Sequence, residues 1–353
     1  MPSPNGPDRV RPVRVVVTSP LDADDLATIA AVDDRLEVVY ERDLVPRAEY
    51  PAAHPLPTLS DERARARWVE LLESAEVLFD FGPEELLERL PEWPRLRWIQ
   101  ATSAGVGQMA RRAGLTADRR IVVTTASGVH ARPMAEFAVM ALLMFGKDVL
   151  AYQADQRNHR WRRHAGEEAA GKVVAVVGAG RIGRETARLL RCLDVRVVGV
   201  VRTIAGRTPA DVEADEIATL ADLDALLPRL DAIVLAAPHT PETEGLLDRR
   251  RIGLLPPHAV VVNIARGEVV DEAALADALA EGRLRGAALD VFSTEPLPPS
   301  SPFWDLPNVL VSPHSASTVP QENARIVGIF CENLRAYLDG RPLRNVLDPN
   351  LLY

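Results

Sequence analysis

KVVAVVGAGRIG, residues 172–183, carries a valine-rich apolar run, Val173 to Val177, directly into Gly178-x-Gly180-x-x-Gly183. Each glycine of that spacing has a physical task. The first permits a tight turn, the second lets backbone approach a pyrophosphate, and the third lets a following helix pack on the strand. The next residues, RETARLLRCL, read as that helix. A pyrophosphate at its N-terminus would meet backbone N–H groups and the favourable end of the helix dipole. Gly178, Gly180, Arg181, Ile182 and Gly183 are therefore the expected dinucleotide contacts.

A second strand, RVVGVVRT, follows at residues 196–203. A site for NAD usually closes this strand with Asp or Glu, which binds the ribose hydroxyls. Here Val201 is followed by Arg202, with Arg207 shortly after and no carboxylate beside them in the sequence. A guanidinium suits a 2′-phosphate. The expected cofactor is NADP, held mainly through Arg202, with NAD as the alternative.

Outward from this unit, short apolar strands alternate with helical stretches in both directions, which indicates parallel, doubly wound sheets. Towards the C-terminus the candidate strands are Val195 to Val201, Ala232 to Ala236, Ala259 to Ile264, Ala287 to Asp290 and Val309 to Ser312. Helices are expected over Asp271 to Glu281, with an Asp cap and a closing Gly282, and over Glu322 to Leu338. Towards the N-terminus, strands are expected at Arg14 to Thr18, Leu36 to Tyr40, Val77 to Phe79, Leu96 to Ala101 and Ile121 to Thr124. Helical spacing begins at about Asp22 and again covers Asp61 to Glu73. A single long helix is expected from Ala131 to about Asp155, with Pro133 in its first turn, where a missing N–H costs little.

The chain has 353 residues, 47% of them hydrophobic and 26% charged, which suits two domains of common size. Its formal net charge of −9 argues against a nucleic-acid or anionic-membrane partner. The proline-rich opening MPSPNGPDRVRP has no apolar signal-peptide core, and no apolar run approaches membrane-spanning length. A cytoplasmic protein is expected. Cys192 and Cys331 show no metal-type or disulfide spacing, and both read as small buried hydrophobes in helices. No metal site is expected.

Three later segments, VVNIARGEVVDEAAL (261–275), GAALDVFSTEPLP (286–298) and NVLVSPHSA (308–316), resemble the D-isomer-specific 2-hydroxyacid dehydrogenase family in order and spacing. The resemblance extends to Leu96–Gly107 and Gly128–Leu143. It implies Arg266, Glu295 and His314 as the catalytic set. Arg266 would orient the carboxylate and ketone of a 2-oxoacid. His314 would exchange a proton with the carbonyl oxygen, and Glu295 would hold its imidazole and favour the charged form. Ala104 and Gly105 would offer backbone N–H groups to the substrate carboxylate. Asp290 would hold the nicotinamide carboxamide, while Ala265, Pro238 and Thr243 would lie along the cofactor. The proline-rich Tyr50 to Pro57 and the DFGP segment (80–83) would help shape the substrate pocket.

The same resemblance implies a Rossmann-type coenzyme domain, residues 129–316, inserted into a flavodoxin-like substrate domain, residues 1–128 plus 317–353. Homodimers joined through the coenzyme domain are the family's common state, with the apolar face of the helix from Pro133 contributing. The expected reaction is reversible NAD(P)H-dependent reduction of a small 2-oxoacid to a D-2-hydroxyacid. A phosphite-oxidising relative and a dinucleotide-sensing, corepressor-like protein use the same residue set and stand as alternatives.

Overall fold

The computed structural model describes residues 11–50, 52–117 and 120–349. The proline-rich opening at 1–10, and one residue of the Tyr50 to Pro57 stretch, lie outside the described residues. The chain divides into two compact units, one formed by Met1–Val129 with Thr318–Tyr353, the other by His130–Ser317.

Among its described residues the first unit carries five parallel strands: β1 (Val13–Val17), β2 (Leu36–Val39), β3 (Val77–Phe79), β4 (Trp98–Gln100) and β5 (Val122–Thr124). Their order is β2-β1-β3-β4-β5, the flavodoxin-like arrangement. Helices Ala23–Ala30 and Glu62–Ser74 start where an aspartate can satisfy an orphan backbone donor. The Asp22 carboxylate accepts from Asp25 N at 2.8 Å, and that of Asp61 from Ala64 N at 2.7 Å. The last helix, Glu322–Leu338, returns to this unit and seals one sheet face. Phe330 lies with its ring centroid 5.1 Å from both Phe79 and Trp98. Truncating a buried Phe of this kind costs about 3–5 kcal/mol, so the helix is an integral part of the core.

The second unit carries seven parallel strands: β6 (Val173–Val177), β7 (Arg196–Val201), β8 (Glu216–Thr219), β9 (Ala232–Leu235), β10 (Val260–Asn263), β11 (Gly286–Leu289) and β12 (Val309–Val311). The order is β12-β11-β10-β9-β6-β7-β8, so the chain reverses its winding between β6 and β9. The central strands are buried throughout, which is why they read as continuous runs of Val, Ile, Leu and Ala. The fold class is thus two doubly wound α/β sheets, the Rossmann-type one inserted within the flavodoxin-like one.

Several expectations need correction. The long helix from Ala131 is two helices, Ala131–Gly146 and Val149–Arg157. Between them Asp148 takes a left-handed backbone with φ 54°, and its carboxylate accepts from Arg285 Nη2 at 3.1 Å. The Gly146 carbonyl accepts from Glu167 N at 2.7 Å, so the returning chain uses a group that a continuous helix would have consumed. Strand β8 and a 3-10 segment, Glu84–Glu92, were not anticipated. Cys331 is buried as expected, but Cys192 is exposed. Helix Arg181–Arg191 buries Gly183, Thr186, Ala187 and Leu190, a face that does not include its capping residue, Cys192.

Candidate active site

Both glycines that flank the turn after β6 are dictated by close approach. Gly178 has φ +99°, and a Cβ there would lie 2.6 Å from Ala237 N. The loop after β6 therefore touches the loop after β9, where the winding reverses. A Cβ on Gly183 would fall 1.8 Å from the Gly178 carbonyl oxygen, so helix and strand meet without a side chain between them. Gly180 differs: a Cβ there would meet nothing within 4 Å. Its small size serves no packing inside the chain and leaves open space beside the helix start. The first helical hydrogen bond runs from Arg184 N to Gly180 O at 3.0 Å, so the first turn, Arg181 to Gly183, presents its N–H groups at that opening. The residues present fit a bound pyrophosphate.

Arg202 follows β7 and is exposed. Its surroundings differ from the expectation of no nearby carboxylate. Glu242, from the loop after β9, brings a carboxylate oxygen to 4.0 Å from Arg202 Nη1. A carboxylate does oppose an anion here, contributed from forty residues away. In the same loop the Thr243 hydroxyl donates to Pro238 O at 2.7 Å and accepts from Thr240 N at 2.8 Å. Thr243 thus shapes the turn from inside, and Pro238 marks its start.

The remaining residues of this unit sit at the carboxyl ends of three adjacent strands, β10, β11 and β12. After β10, the buried Asn263 clamps the turn: its Oδ1 accepts from Ala265 N at 3.0 Å and its Nδ2 donates to Arg266 O at 2.9 Å. Arg266 is exposed, and its Nη1 donates back to Ala265 O at 2.6 Å. Gly267 lies so close to the loop after β11 that a Cβ would stand 2.0 Å from Phe292 C and Ser293 N. That glycine lets the Arg266 turn press on the chain three residues ahead of Glu295.

Glu295 works with both oxygens. Oε1 accepts from Phe292 N at 2.9 Å, which fixes the carboxylate, and Oε2 lies 2.8 Å from His314 Nδ1. An ionised carboxylate can only accept, so Nδ1 carries the proton and Nε2 is left for chemistry. His314 has a left-handed backbone, φ 53°, and its N–H donates to Asp290 O at 2.8 Å. Buried Asp290 gathers the following chain through one oxygen. Its Oδ1 accepts from Ser312 Oγ at 2.6 Å, Ser315 N at 2.8 Å and Ala316 N at 2.9 Å. The strands thus join Glu295, His314 and Asp290 by hydrogen bonds, and bring the Arg266 turn against the same loop. Asn263 and Ser312 are not among the expected site residues; an amide at a strand end three residues ahead of Arg266 is the available signal.

Ala104 and Gly105 belong to the other unit, beyond the end of β4. Gly105 N donates to Ser103 Oγ at 3.3 Å, and Ser103 O accepts from Ala126 N at 3.2 Å. The turn is built from its own side chain and tied to the segment after β5.

A family model for the NAD binding domain of D-isomer specific 2-hydroxyacid dehydrogenases matches residues 139–316, half of the chain. This chain belongs to that family. Similarity runs through both units: a glyoxylate/hydroxypyruvate reductase B of Pectobacterium carotovorum is 29% identical over 94% of this chain and 96% of its own. A D-3-phosphoglycerate dehydrogenase of Mycobacterium tuberculosis is 34% identical over 81% of the chain, which spans only 57% of that relative's length. Among solved structures, an NADPH-dependent glyoxylate/hydroxypyruvate reductase from Sinorhizobium meliloti, in complex with NADP and sulfate, is 27% identical. It covers 96% of this chain and 99% of its own, with a TM-score of 0.75. The dehydrogenase family is an NAD(P)-binding one.

The two glycine environments predict a separation of effects. Gly180→Ala should leave thermal stability near wild type while weakening dinucleotide binding about tenfold or more, since the methyl enters the pyrophosphate's space. Gly183→Ala should lower the unfolding temperature, because backbone must move by more than an ångström-scale adjustment permits. Differential scanning fluorimetry and a fluorescence titration with NADPH read the two properties independently.

Proposed function

We propose that this chain reversibly reduces a small 2-oxoacid to the D-2-hydroxyacid, as a cytoplasmic NAD(P)-dependent dehydrogenase that favours NADPH. The observation that carries the reading is the 2.8 Å contact of Glu295 with His314 Nδ1, at strand ends shared with the Arg266 turn. A nicotinamide dinucleotide supplies the hydride when bound. Gly178, Gly180, Arg181, Ile182 and Gly183 would hold its pyrophosphate, with Pro238 and Ala265 along its path, Thr243 shaping the Pro238 turn from beneath, and Asp290 receiving the carboxamide.

Catalysis by this chain's own residues is a matter of orientation and one proton. Arg266 offers a fork of N–H donors to the substrate carboxylate and carbonyl oxygen, leaving its intraloop bond to Ala265 to do so. Ala104 and Gly105 give backbone N–H groups to the same carboxylate. As C2 accepts hydride, His314 Nε2 gives its proton to the carbonyl oxygen, and Glu295 stabilises the imidazolium that makes this donation possible. In the oxidative direction the proton returns to Nε2. Glyoxylate and hydroxypyruvate are the first substrates to consider, from the names of the Pectobacterium and Sinorhizobium relatives.

Turnover of a panel of 2-oxoacids with NADPH and NADH tests the reading directly. His314→Ala should lower kcat by about 10²–10⁴ with NADPH affinity nearly intact. Tight NADPH binding with no turnover of any oxoacid by the wild type would support a sensing role instead.

Cofactor choice rests on Arg202, with Glu242 working against it. Arg202→Ala should reduce kcat/KM for NADPH about tenfold or more and leave that for NADH little changed. Glu242→Gln should move the ratio the other way. A wild type that strongly prefers NADH would refute the NADPH assignment.

Homodimerisation through the coenzyme unit is part of the proposal. Trp161 is 97% exposed, and Met140 and Tyr152 also expose apolar surface on the neighbouring helices. A dimer interface that used these side chains would cover them. Light scattering should give a dimer mass for the wild type and a shift towards monomer for Trp161→Arg; a monomeric wild type would end the idea.

A further inference from the structure

The five-stranded sheet has its own reversal of winding, between β1 and β3, and a buried polar cluster occupies the carboxyl ends there. Ser19 follows β1, Asp80 follows β3 and Thr102 follows β4; all three are buried. Asp80 Oδ2 accepts from Thr102 Oγ1 at 2.9 Å and Oδ1 accepts from Phe81 N at 3.0 Å. Beside it, Ser19 Oγ lies 2.7 Å from His54 Nδ1.

This arrangement is expensive for the fold. Asp80 has a left-handed backbone, φ +70°, a conformation that costs a residue with a Cβ energy unless its surroundings enforce it. Burial pushes its carboxyl pKa up, against the opposing pull of His54, Thr102, the Phe81 N–H and Ser19. An apolar residue or a glycine would close β3 at less cost. What the carboxylate does achieve is to fix Thr102, and Thr102 leads directly into Ser103, Ala104 and Gly105.

We propose that Asp80 is a positioning residue: through Thr102 it holds the Ala104–Gly105 turn in the geometry that receives the substrate carboxylate. The proposal rests on the reading that this turn binds the carboxylate. Wild-type turnover of a 2-oxoacid tests that reading, and variants at positions 80 and 102 test the present step.

Thr102→Val removes the hydroxyl at constant shape. Asp80→Gly removes the carboxylate while accepting the left-handed backbone. Each should raise KM for the oxoacid about tenfold, the scale of one hydrogen bond to a charged group, with kcat and NADPH affinity changed far less. The double variant should be no worse than either single one, because both break the same link. Asp80→Asn tolerates the same backbone, and its amide can donate to the Thr102 oxygen, so it should restore most of the lost affinity. Unchanged KM in Thr102→Val, or additive effects in the double variant, would overturn the proposal. If Asp80→Gly does not fold, Thr102→Val alone decides.

Discussion

One carboxylate oxygen, Asp290 Oδ1, accepts three hydrogen bonds from the chain that follows β12, and the geometry around His314 depends on it. A strand end alone would not place an imidazole. The backbone at His314 is left-handed, a conformation that few side chains adopt without enforcement. Asp290 supplies that enforcement from the neighbouring strand, its own carbonyl taking the His314 N–H and its side chain the Ser312 hydroxyl before it and the N–H groups of Ser315 and Ala316 after it. Glu295 then needs only to reach across from the same loop, itself fastened to Phe292 N. Because β10, β11 and β12 are parallel and adjacent, residues scattered over fifty positions of sequence emerge at one edge. The close approach at Gly267 turns that adjacency into contact.

Much of this was legible in the sequence, for identifiable reasons. Strands buried on both faces have to be runs of small and branched apolar residues, so β3, β6 and β9 stood out. The glycine turn was readable because each of its glycines answers a distinct steric demand. Strand β8, EIAT, was not: it pairs on one edge only with β7, and its glutamate breaks the apolar run. The division of the helix at Asp148 depends on Arg285, more than a hundred residues later, and no local propensity reports a partner so distant. Glu242 beside Arg202 escaped for the same reason, since two loop tips meet only because β7 and β9 both flank β6. The residues of the site were visible as types in a pattern. The hydrogen bonds that fix their orientation, from Asn263, Ser312 and the main chain of 292 and 315, were not.

The return of helix Glu322–Leu338 to the first unit has a consequence for how the polypeptide matures on the ribosome. Everything needed for the seven-stranded sheet has been synthesised by Ser317, whereas the flavodoxin-like sheet still lacks the cover for Phe79 and Trp98. On that ground the amino-terminal body would complete its fold after the seven-stranded one, against the usual order. The nascent N-terminal strands must wait, with an aromatic face bare, through the translation of nearly two hundred further codons. Cells that make this protein quickly would depend on holdase chaperones to shield that face, and stalled or truncated products ending before Phe330 would be the aggregation-prone species.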